Sequence, residues 1–147
     1  MSTEDSTKTG FVLSQQAAQV EMQKMYDHYD FVLEDKHDSE LIEAKEIVKE
    51  FEGKLIRALR RGAIEFKDIE NQGYCVVQKL KNGTELIYSE LSGKHKVAMN
   101  NVKSNNASQR TYTFLGSLSG IGASGIEKLK SKDLNVAENI GMMLLYL

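Results

Sequence analysis

The sequence predicts an α+β fold, with two N-terminal helices, a central antiparallel β-hairpin or three-stranded sheet, and further helices at the C-terminal end. Three observations predict it. Apolar residues recur at helix spacing on both flanks, apolar and polar residues alternate in the middle, and an Asn82-Gly83 pair separates two of the alternating runs.

The first helix is read from Ser14, whose hydroxyl is placed to cap the opening turn. Ala18, Met22, Met25, Tyr29 and Val32 follow at intervals of three and four, which gathers them on one face over residues 15–35. A second helix starts at Asp38 or Ser39 and carries Leu41, Ala44, Val48, Phe51, Leu55 and Leu59 to Arg61. Its charges agree with its direction. Glu40 and Glu43 lie near the positive end of the helix dipole, and Arg57, Arg60 and Arg61 near the negative end. Gly53 interrupts this pattern and is expected to mark the close approach of another backbone, while Gly62 is the natural C-cap.

Strand character follows. Ile64 and Phe66 alternate with Glu65 and Lys67, and Tyr74, Val76, Gln78 and Leu80 alternate with Cys75, Val77 and Lys79. Two or three antiparallel strands are expected between residues 63 and 90, turned at Asn82-Gly83 ahead of Glu85-Leu86-Ile87-Tyr88. So few strands leave an apolar face that needs a cover, and the amphipathic helices are the cover available. Residues 92–109 mix Gly, Ser and Asn with isolated apolar positions, so a loop or a short strand at Lys96–Met99 is expected.

Helical spacing returns over residues 109–119 and breaks across the glycine-rich GIGASG. A short helix near Ile126–Lys130 precedes Asp133, which is placed to cap a last helix from Leu134 to Leu147. There Ala137, Ile140, Leu144 and Leu147 align, and Val136, Met143 and Tyr146 widen the stripe. Such an apolar payload docks into the core or is buried against another subunit or a partner.

The chain of 147 residues is read as a flexible tail at residues 1–12 and one α+β domain at residues 13–147. A balance of 41% hydrophobic and 27% charged residues is that of a folding globular chain, not a disordered one. The charge is polarised: residues 1–50 carry 12 acidic and 5 basic side chains, and the remainder nets +5 against an overall −2. Such polarity steers association without specifying nucleic acid, which is not expected as a partner. Neither a signal peptide nor a membrane span is read, so a cytoplasmic protein is expected.

Candidate chemistry is sparse. Lone Cys75 reads as core, and His28, His37 and His95 as solvated histidines without metal-ligand spacing. The acidic run Asp27, Asp30, Glu34, Asp35 and Asp38 lacks the calcium-loop pattern, and the glycines at 116, 120, 122 and 125 lack a phosphate-loop pattern. No catalytic residue, metal or cofactor is therefore expected, and the chain is read as non-enzymatic. The candidate protein-binding residues are Ile140, Met143, Leu144 and Leu147, with Arg57, Arg60 and Arg61 as a basic contact.

The segment Tyr112-Thr-Phe-Leu-Gly-Ser-Leu-Ser-Gly-Ile-Gly, continued by Ile126-Glu-Lys-Leu-Lys-Ser-Lys-Asp133-Leu-Asn-Val-Ala-Glu-Asn-Ile140, resembles the ending of bacteriophage tail assembly chaperones. Gly73 to Leu91 is similar to the β region that precedes such endings, so the resemblance spans about residues 65–147. It implies transient binding to a tape-measure protein or to tail-tube subunits in the host cytoplasm. The alternatives are a structural component retained in the virion, which self-associates as a homo-oligomer through the last helix, and a small DNA-binding regulator that uses the three arginines.

Overall fold

The computed structural model describes residues 10–31, 38–102 and 107–147. Its elements are helices on either side of a three-stranded antiparallel sheet, the α+β arrangement expected. His37 and the acidic residues Glu34 and Asp35 lie outside the described residues.

Helix α1 (Gln15–His28) opens as its cap requires, with the Ser14 hydroxyl accepting the Ala17 N–H at 3.1 Å. It ends earlier than residue 35. Asp30 takes a left-handed φ of +52°, its N–H bonds the Asp27 carbonyl, and the Phe31 N–H returns to the Tyr26 carbonyl. Phe31 also packs on the Tyr26 ring at 5.4 Å, so a Schellman stop with its hydrophobic contact outweighs the continuing apolar period. Helix α2 (Asp38–Arg61) ends the same way on Gly62, whose φ of +76° lets Gly62 and Ala63 bond the carbonyls of Leu59 and Ala58. Gly53 does not mark a close approach: a Cβ added there meets nothing within 4 Å.

Strands β1 (Ile64–Ile69), β2 (Gly73–Lys79) and β3 (Glu85–Tyr88) form the sheet in that order. The register pairs Phe66 with Val76 and Val76 with Tyr88, which puts Ile64, Phe66, Val76, Leu86 and Tyr88 on one face. All five join the core with Met22 and Met25 of α1 and Leu55 and Leu59 of α2. In the second turn, Leu80 bonds the Thr84 carbonyl, and the Asn82 side chain accepts the Thr84 N–H and hydroxyl at 3.0 and 2.7 Å.

Where a loop or short strand was expected, residues Gly93–Asn100 form helix α3. Then come α4 (Ala107–Ser119), α5 (Gly122–Glu127) and α6 (Ser131–Tyr146). The glycine-rich segment is a packing contact as much as a break. A Cβ at Gly116 would lie 2.2 Å from the Gly122 carbonyl carbon, so the backbones of α4 and α5 meet there. Asp133 is not the cap of the last helix; it sits in the first turn of α6 and accepts the Lys81 N–H on both oxygens at 3.2 Å, tying the β2–β3 turn to α6.

The segment before α1 is partly fixed. The backbone N–H groups of Val12 and Leu13 bond the Arg60 carbonyl, and the Phe11 ring lies under the Arg60 guanidinium at 3.9 Å. The remaining part of the expected tail, residues 1–9, lies outside the described residues. Among the described residues, no helix is long and apolar enough to cross a membrane.

Candidate functional site

The expected binding stripe faces inward. Ile140, Met143 and Leu144 are 1–3% exposed and belong to the core; Leu147 is half-buried against it. A partner could reach Ile140, Met143 and Leu144 only by displacing α6 from the helices and sheet it covers, so in this fold those three are packing residues. Of the two destinations read for the stripe, the core is the one occupied.

The arginine cluster is divided by helix geometry. Arg60 turns toward the segment before α1, where Nε donates to the Leu13 carbonyl at 3.3 Å and a terminal nitrogen to Gln15 Oε1 at 3.2 Å. Arg57 and Arg61, four residues apart, share the opposite side and line a groove with Lys54.

This groove, about 690 Å³, runs between α2 and α6. From α2, Phe51, Lys54, Arg57, Ala58 and Arg61 face it at intervals of one helical turn; from α6, Lys132, Asn135, Val136, Asn139 and Met142 do the same. Each run spans eleven residues, about 15 Å of helix from first to last. The floor is apolar, formed by Phe51, Ala58, Val136 and Met142. The rim is cationic: Lys54, Arg57, Arg61 and Lys132 against Glu138. Lys54 is engaged with Glu50 at 3.2 Å and lies over the Phe51 ring at 5.1 Å. Arg57, Arg61 and Lys132 have no carboxylate partner among the described residues.

A second polar site joins α1 to the end of β3. The His28 ring stacks on Tyr74 at 4.7 Å and bonds the Glu90 carboxylate, which also accepts the Tyr74 N–H at 3.2 Å. These two hydrogen bonds hold the Glu90 carboxyl below its usual range. Burial pushes the Tyr74 phenol up to about 12, and its oxygen has no hydrogen-bond partner among the described residues. Tyr29 completes the corner by accepting the Leu91 N–H at 3.0 Å. The effect of this cluster is to hold the end of α1 against the sheet.

His95 is buried, not solvated as its sequence position implied. At 3% exposure its Nδ1 is hydrogen bonded to Ser117 Oγ at 2.8 Å. Burial first, then the Lys94 charge, lower its pKa. A serine hydrogen-bonded to histidine has the makings of a nucleophile and its base, but a ring this enclosed has no room for substrate beside it. The pair instead fastens α3 to α4.

Cys75 is wholly buried, as expected, and its thiol donates to the carbonyls of Gln72 and Gly73. Burial raises its pKa, the reverse of what a thiolate nucleophile needs. Among the described residues, no group of three His, Cys, Asp or Glu side chains is placed to hold a metal ion.

The comparisons add no family to these observations. No family model, curated protein or solved structure matches the chain. The groove was missed from the sequence because its walls lie some eighty residues apart. One signal was present: on both helices, basic and apolar residues share a face at helical spacing.

Proposed function

We propose that this chain is a non-enzymatic protein-binding factor that works in assembly, in the manner of the tail assembly chaperones its C-terminal half resembles. Its partners on this reading are a tape-measure protein or tail-tube subunits, bound transiently in the cytoplasm of a host. The observation that carries the reading is the groove between α2 and α6, an elongated apolar floor edged by cations, which is the shape and chemistry of a surface that receives a helical segment. A cleft built for catalysis would instead bring an acid, a base or a nucleophile to its floor.

The test is co-purification of the tagged full chain with tape-measure and tail-tube proteins, together with quantification of the chain in finished particles. Capture of either protein and absence from particles is the expected result. Stoichiometric retention in particles would make it a structural virion component, and capture of neither protein would reject the tail-assembly reading.

A further inference from the structure

The groove also carries information about what enters it. Its two walls are of equal length and long enough for about three turns of a third helix. Along the floor, Phe51, Ala58, Val136 and Met142 offer an apolar strip to the ridge of an amphipathic helix, with methionine supplying an adaptable contact. The rim sets the sign of the partner. Four cations border this strip against Glu138, and three of the four have no carboxylate partner among the described residues.

We propose that this groove takes an acidic amphipathic helix of a partner protein, its apolar ridge on the floor and its carboxylates on Lys54, Arg57, Arg61 and Lys132. This rests on the protein-binding reading above and adds the partner's secondary structure and charge. The two arginines hold carboxylates with paired donors; the lysines act as point charges. Nucleic acid fits less well, because an apolar floor offers a phosphate backbone nothing and Glu138 repels it. The chain as a whole is net negative at −2, so attraction for an acidic partner is local to this groove.

The probe is a fluorescent synthetic peptide of about twenty residues, with leucine at i, i+3, i+4 and i+7 and glutamate on the flanks. A twin has lysine for every glutamate, and a labelled DNA duplex serves as a third ligand. Anisotropy with the full chain is expected to show the acidic peptide bound at least tenfold more tightly than its twin, with affinity falling as salt rises. In the Arg57→Glu, Arg61→Glu double variant the acidic peptide loses at least tenfold and the lysine twin gains. Both arginines are exposed, so circular dichroism should be unchanged. Should charge reversal disturb the spectrum, Arg57→Gln with Arg61→Gln removes the charge alone and must still weaken the acidic peptide.

Equal affinity for the two peptides, no effect of the folded variants, or binding of duplex DNA without the acidic peptide would overturn the proposal. A chain that captures tail proteins yet ignores the peptide keeps the assembly reading and loses this one. A chain that binds the peptide through Arg57 and Arg61 but captures no tail protein does the reverse.

Discussion

Alanine at Gly53 and alanine at Gly116 are expected to move stability in opposite directions, although both glycines lie inside helices. At Gly53 the added methyl meets nothing within 4 Å and the position is exposed, so the substitution acts on backbone entropy and helix propensity alone. That gain is about 0.5–1 kcal/mol. For a domain of this size, each kcal/mol corresponds to about 2–4 °C in Tm, so Gly53→Ala should unfold about 1–4 °C higher.

At Gly116 the methyl would lie 2.2 Å from the Gly122 carbonyl carbon and 2.5 Å from the Ala123 nitrogen. Both are backbone atoms, so no rotamer relieves the overlap and α5 must move off α4. Overpacking of this kind costs about 3 kcal/mol, which the propensity gain reduces to a net loss of about 2 kcal/mol. Gly116→Ala should therefore unfold about 4–8 °C lower. Thermal unfolding followed by far-UV circular dichroism reads both. A Gly116→Ala protein with the parent midpoint, or a Gly53→Ala protein that melts lower, would refute this reasoning.

Three further outcomes follow from buried polar groups. Tyr88, fully buried, donates to Gln78 Oε1 at 2.8 Å, so Tyr88→Phe strands that acceptor and should lower stability by about 1–3 kcal/mol in urea unfolding. An unchanged midpoint would show that this bond contributes nothing. Because His95 is held below its ordinary value of 6.5, the unfolded chain takes up the proton first; its contribution is whole above that value and is lost as pH falls below it. Stability should fall as pH drops below 6.5, and His95→Gln should flatten that slope; Glu90 contributes its own loss only below its usual 4.5. Cys75 should react with an aromatic disulfide reagent only at the rate of unfolding, and rapid labelling of the native protein would contradict its burial.

Local signals in the sequence located most of the elements. Ser14, Gly62 and Asn82-Gly83 act within a few residues of themselves, so their effects were readable, as was the long amphipathic face of α2. Helix α3 was not legible. Its apolar residues are few, and what holds it is the contact of His95 with Ser117, twenty-two residues away. Gly53 was misread for the same reason: Gly53 and Gly116 look alike in a helical pattern, and only the position of α5 distinguishes them. The last-helix stripe was read correctly as apolar and helical, but sequence alone left open whether core or partner covers it. The groove depends on two helices meeting across the fold, a relation no local pattern specifies. Arg57, Arg60 and Arg61 form one cluster in the chain and two separate contacts in space.

The most direct measurement is amide chemical-shift mapping of the isotope-labelled full chain as the acidic helical peptide is added. Perturbations concentrated on Phe51–Arg61 and Lys132–Met142 are expected, with the β-strands largely still. Binding that leaves both of those segments unmoved, and shifts another surface instead, would contradict the account.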